Sequence, residues 1–117
     1  MPVIAKFRIV VRNGTDALVR PPSDVCEKIG ATTQEVWIKN MTGGQVLVSL
    51  PGGVFDTDAD GVADPPDVKV IPAAGAGNPL KLPVLAGAAG IFSFKAFCRQ
   101  TFSFAQGNSD PEFIIEN

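Results

Sequence analysis

From Val3 to Arg12 apolar and polar residues alternate. Val3, Ala5, Phe7, Ile9 and Val11 fall on one side and Lys6, Arg8 and Arg12 on the other, the period of a strand buried on one face. Asn13-Gly14 is a strong turn signal, and Ala17-Leu18-Val19-Arg20 forms a short return strand that Pro21-Pro22 stops, so the first unit reads as a hairpin. Alternation returns at residues 34–40 and 45–50, separated by a turn at 41–44. Val36 and Ile38 should face the core, with Val46, Val48 and Leu50 opposite them across a second hairpin.

Strands are also expected at residues 68–71, 80–85, 91–98 and 113–116. In the third of these, Phe92, Phe94, Ala96 and Cys98 share the apolar face while Ser93 and Lys95 lie opposite. One helical turn is placed at 23–33, with Ser23 or Asp24 as its cap and Gly30 ending it. The glycines and alanines between the strands at 68–71 and 80–85 read as a connector. About eight strands and very little helix define an all-β chain, an antiparallel Greek-key β-sandwich.

A chain of 117 residues fits one domain, spanning 1–117, that buries about two thirds of its unfolded surface. With 45% hydrophobic and 19% charged residues it has too much apolar content for intrinsic disorder. The eight phenylalanines are most simply core. The ten basic residues are scattered along a chain of net charge -2, so neither nucleic acid nor an anionic membrane is expected as a partner. Residues 71–94 are interrupted by Pro72, Pro79, Pro83 and Lys81, which excludes a membrane-spanning helix there. Lys6 and Arg8 break the first apolar run, so no export signal is read; localisation is left unknown, extracytoplasmic if calcium is bound or a leader was removed.

The segment Val36-Trp37-Ile38-Lys39-Asn40, leading through a turn into Gln45-Val46-Leu47-Val48, and then Gly90-Ile91-Phe92-Ser93-Phe94 running to Cys98, resembles the cupredoxin-like domain. The resemblance covers residues 34–116. It implies a sandwich fold and, by position, a metal-ligand place for Cys98. Thr101 stands where the family carries its second histidine, Gln106 near its methionine, and the 43–46 segment offers no first histidine. A blue-copper site needs imidazoles beside the thiolate. This chain has no histidine, so the resemblance implies the fold without copper.

Residues 56–67 read DxDxDGxxDxxD, placing Asp56, Asp58, Asp60, Asp64 and Asp67 at loop positions 1, 3, 5, 9 and 12, with Gly61 at 6 and the Val62 carbonyl at 7. A hard cation takes six to eight oxygens, and this spacing turns alternate residues inward around a glycine bend. The loop looks like those of EF-hands, dockerins and thrombospondin type 3 repeats, and calcium is the cofactor it would take. It departs from them in ending on Asp67 rather than glutamate and in its Pro65-Pro66 pair. Carboxylates held about 6 Å apart repel by roughly 2–3 kcal/mol per pair at an effective dielectric near 20, which a cation relieves. The competing reading is a solvated acidic turn.

Without histidine or tyrosine the usual triads and most acid–base pairs cannot be built, so no enzyme is expected. Cys98 as a nucleophile would need activation by a cation such as Arg99. Cys26 and Cys98 are read either as two buried thiols or as a disulfide. Trp37 is either an exposed binding aromatic or packed beneath a loop. The sequence thus points to a non-enzymatic β-sandwich binding or structural module with a calcium loop. The alternative is a metal-free subunit that self-associates or binds an unknown protein partner.

Overall fold

The computed structural model describes residues 3–20, 23–27, 34–105 and 111–116. Eleven strands run in the order β1 Val3–Arg12, β2 Asp16–Arg20, β3 Ser23–Glu27, β4 Gln34–Asn40, β5 Val46–Leu50, β6 Asp67–Ile71, β7 Leu80–Pro83, β8 Gly90–Ser93, β9 Lys95–Cys98, β10 Ser103–Phe104 and β11 Glu112–Glu116. They form three sheets, ordered β2-β1-β4-β7, β10-β9-β5-β6 and β3-β11-β8. The chain is an all-β sandwich, and no helix occurs among the described residues.

All eight expected strands are present. The count rises to eleven because the segment 91–98 divides, a short β10 forms, and residues 23–27 are extended. The last point corrects the helical turn placed at 23–33: Ser23–Glu27 lies parallel to β11, with Ser23 opposite Glu112 and Glu27 opposite Glu116, while the rest of that segment lies outside the described residues. A ten-residue helix is marginal on its own, and a free strand edge offers this backbone a full ladder instead.

The first hairpin forms as the sequence predicts. Asn13 and Gly14 both take positive φ (55° and 72°), and Thr15 N–H donates to the Arg12 carbonyl at 3.2 Å. The second expected hairpin does not form. β4 pairs in parallel with β1 and antiparallel with β7, whereas β5 pairs with β6 and β9 in another sheet. Residues 41–45 therefore carry the chain between sheets. The alternation survives: Val36, Ile38, Val46, Val48 and Leu50 are all buried. They meet through the core rather than along a ladder.

Residues 91–98 change sheets at Phe94, with β8 joining β11 and β9 joining β5. Phe94 is buried at this corner, its ring edge-on to Phe7 with centroids 5.0 Å apart. Phe113 stacks between Phe55 and Phe92, each 5.5 Å away. Such aromatic pairs add about 0.5–1.5 kcal/mol beyond the area they bury. One contiguous core, including Phe7, Ile38, Val48, Leu82, Cys98 and Phe113, joins residues from all three sheets.

Candidate metal centre

The loop between β5 and β6 is anchored before it turns acidic. Val54 and Phe55 are buried, and Phe55 forms a bridge with Val84 just beyond β7. Asp56 N–H donates to the Pro83 carbonyl at 3.0 Å and Leu85 N–H to the Val54 carbonyl at 2.8 Å. The loop closes on itself through Gly53 N–H to the Asp64 carbonyl (3.1 Å) and Asp64 N–H to the Phe55 carbonyl (2.8 Å). At its neck a Cβ on Gly52 would stand 2.7 Å from Cδ of Pro66, so only glycine lets the two ends approach. The two-proline segment is thus part of the closure.

Within the loop the carboxylates organise the backbone. Asp56 accepts from the N–H groups of Asp60 (3.1 Å) and Gly61 (3.0 Å), one on each oxygen. Asp60 accepts from Val62 N–H at 2.9 Å. Asp64 accepts from both Thr57 N–H (2.9 Å) and its hydroxyl (2.6 Å). Gly61 sits at φ 79°, in the left-handed region where a side chain is strained.

One oxygen each from Asp56, Asp58 and Asp64 lie within 4.8 Å of one another. Three of the six residues expected from the spacing are therefore brought together. Asp60 is close enough to influence Asp58 electrostatically, and Val62 is solvent-exposed at the tip. Asp67 is turned elsewhere: one oxygen accepts from Val68 N–H at 2.7 Å and the other meets Lys69 Nζ at 3.1 Å. Asp64, Asp67 and Lys69 also border a recess of about 200 Å³ beside Phe55.

The electrostatics separate these carboxyls. Asp58 is raised above the usual 3.8, first by its hydrogen bond to Asp56, then by desolvation and the charge of Asp60. Desolvation also pushes Asp56 upward, but the Gly61 N–H, the bond from Asp58 and the Asp60 N–H outweigh it and leave Asp56 below 3.8. Asp67 is lowered by its bond to Lys69, by Val68 N–H and by the lysine's charge. Asp56 and Asp58 are thus pushed in opposite directions, as expected of like charges held together.

The remaining candidates lie apart from the loop. Cys98 is a fully buried free thiol on the inner side of β9; the Cys26 side chain and Gln106 lie outside the described residues. Thr101 hydrogen-bonds Ser103 at 2.8 Å. Trp37 stands half-buried on the outer face of the β2-β1-β4-β7 sheet, its indole N–H donating to Glu35 at 2.6 Å, with the ammoniums of Lys6 and Lys81 over the ring at 5.4 and 4.4 Å. Sequence reading missed what surrounds it. Arg20, Arg8 and Lys39 lie opposite one another across three strands, so with Lys6 and Lys81 half of the ten basic residues occupy one sheet face. Strand alternation pointed them outward; only the register makes them neighbours.

The site defined by this fold is an acidic, carboxylate-lined loop on a β-sandwich. In comparisons with known proteins, no protein-family model and no curated protein sequence matches the chain.

Proposed function

We propose that the chain is a non-enzymatic β-sandwich module whose 56–67 loop binds calcium and is stiffened by it. The observation that carries this reading is the convergence of Asp56, Asp58 and Asp64 within 4.8 Å. These three supply hard oxygen donors, and Asp60 with the Val62 carbonyl and water would fill the shell a calcium ion takes. Asp67 joins only by releasing Lys69. The cupredoxin-like resemblance belongs to the same reading, as a scaffold that carries no copper.

The role of the ion is structural. The loop is held at its neck by Gly52 and Pro66 and through Phe55 to the core, so a cation on the carboxylates braces the connection between β5 and β6. A calcium-rich, extracytoplasmic setting follows from this reading.

A second reading, a metal-free interaction subunit, is favoured by one observation: Asp56 and Asp64 already accept backbone and hydroxyl hydrogen bonds that hold the loop's shape. Thermal melts of the metal-stripped protein with and without millimolar calcium separate the two. At a concentration of one hundred dissociation constants calcium adds about 2.7 kcal/mol, a rise in midpoint on the order of 10 °C. The rise is expected in the parent and absent in Asp58→Ala and Asp64→Ala. An unmoved parent midpoint rejects calcium and leaves the metal-free module.

A further inference from the structure

The outer face of the β10-β9-β5-β6 sheet carries an apolar row that crosses all four strands. Phe104 lies opposite Phe97, Phe97 opposite Leu47, and Leu47 opposite Val70. Their neighbours in sequence, Val46, Ile71, Ala96 and Cys98, are buried, so the alternation of each strand sends this row away from the core. Phe102 and Phe104 both meet the Phe97 ring edge-on, at 5.4 and 5.3 Å. Val68 extends the patch one step along β6. Phe102 is 78% exposed, Phe104 55%, Val68 55% and Val70 50%.

This is a concentration and not a scatter. Seven large hydrophobic residues are exposed among those described, and four of them stand on this one face. Phe102 also holds a positive φ of 53°, a conformation rare for a bulky residue. The core does not use that ring, which packs against Phe97 on the outside.

We propose that this face is the interface of a dimer formed with a second copy of the chain. The two exposed phenylalanines present about 250 Å² of ring surface, and the two valines with the half-buried Leu47 and Phe97 bring the patch to about 450 Å². A standard interface buries about 800 Å² on each partner, of which roughly 55–65% is apolar, or about 450–500 Å². The patch supplies that apolar share, and the polar positions beside it, Gln45, Ser49, Lys95 and Arg99, supply a rim.

The row is also polarised in size, with aromatic rings at its β10 end and valines at its β6 end. A two-fold axis through its middle lays the rings of one copy over the valines of the other. Large then meets small at both ends, and two sheets pack at the usual separation of about 10 Å. The proposal does not depend on calcium, because none of these side chains belongs to the acidic loop.

The test is sedimentation equilibrium of the whole chain from about 1 μM to about 1 mM, on the parent and on Phe104→Asp, Val70→Asp and, as a control in a different sheet, Ile91→Asp. All three positions are exposed, and circular dichroism with a thermal melt verifies that each variant folds. The expected result is a parent at twice the monomer mass, dissociation constants raised at least about tenfold in Phe104→Asp and Val70→Asp, and no change in Ile91→Asp. A parent that stays monomeric at the highest concentration overturns the proposal. So does a dimer that both face variants, folded, leave intact.

Discussion

Asn78 holds the backbone of Asn40 from both sides: its Oδ1 accepts the Asn40 N–H at 2.9 Å and its Nδ2 donates to the Asn40 carbonyl at 2.8 Å. β4 and β7 pair with Ile38 opposite Leu80, and two positions further along that ladder residue 40 would stand against residue 78. There a side-chain amide makes both bonds that a strand would make. The Asn40 side chain is buried and donates in turn to the carbonyls of Gly44 (2.8 Å) and Ile71 (3.0 Å) while accepting from Thr42. The turn between the two sheets is thereby tied to the end of β6.

Replacing Asn78 with alanine strips both bonds from Asn40. A buried backbone group left without its partner costs about 1–3 kcal/mol, so Asn78→Ala is expected to lose about 2–4 kcal/mol in urea unfolding. Asn78→Asp keeps the acceptor and should lose less. Equal stability in all three proteins would show that water replaces the amide.

The acidic loop should show opposite pH signs at two residues. Asp58 is raised, so its contribution to the ion-free fold is full below 3.8 and is lost as pH rises through its folded value. Asp56 is lowered, so its contribution is present above 3.8 and is lost as pH falls through its folded value. In acid calcium has to displace the proton that the raised Asp58 carboxyl takes up, so affinity should fall as pH drops into the carboxylate range, with proton release there detected by calorimetry in buffers of different ionisation enthalpy. Asp58→Asn should release no such proton. An affinity that stays flat over this range would contradict a raised Asp58 carboxyl in the site.

Arg8 lies between Arg20 and Lys39, and like charges directly opposite on a sheet are destabilising. Arg8→Glu converts two repulsive pairs into attractive ones. It should add about 1 kcal/mol in denaturant unfolding at low salt, with the gain fading as salt is raised. A loss of stability would mean that the arginine is held by other contacts worth more than the repulsion.

Gln34 is 1% exposed, and its side-chain amide has no hydrogen-bond partner among the described residues. Removing a buried polar group that has no partner is neutral or favourable, so Gln34→Leu should raise the unfolding free energy by about 1 kcal/mol. A fall of similar size would place a partner for the amide in the chain beyond those residues.

Much of the fold was legible because alternation is a local property. β1, β4 and β5 have the faces their sequences predict, and so do Phe94, Ala96 and Cys98. What alternation cannot supply is the neighbour. Nothing in residues 34–40 announces that they pair in parallel with β1 rather than with the strand that follows, since a crossover and a hairpin leave the same apolar face. The acidic loop shows the same division. Regular spacing around Gly61 brings Asp56, Asp58 and Asp64 together, but Asp67 opens β6, where the side chain two residues on lies on the same face. That residue is Lys69, and it takes the carboxylate. The phenylalanines of the outer apolar row were likewise read as core, because which side of a sheet meets solvent depends on layers that one strand cannot specify.

The parallel pairing of β3 with β11 sets an order on synthesis. Ser23 lies opposite Glu112, 89 positions later, so β3 leaves the ribosome long before the strand it borders exists. The sheet β3-β11-β8 has β11 at its centre, and neither outer strand of that sheet has its ladder until the segment 112–116 emerges. Contacts this distant in sequence make folding slow, and for that interval β3 and β8 are unzipped edges. Nascent chains stalled before residue 112 should therefore engage chaperones more than finished ones.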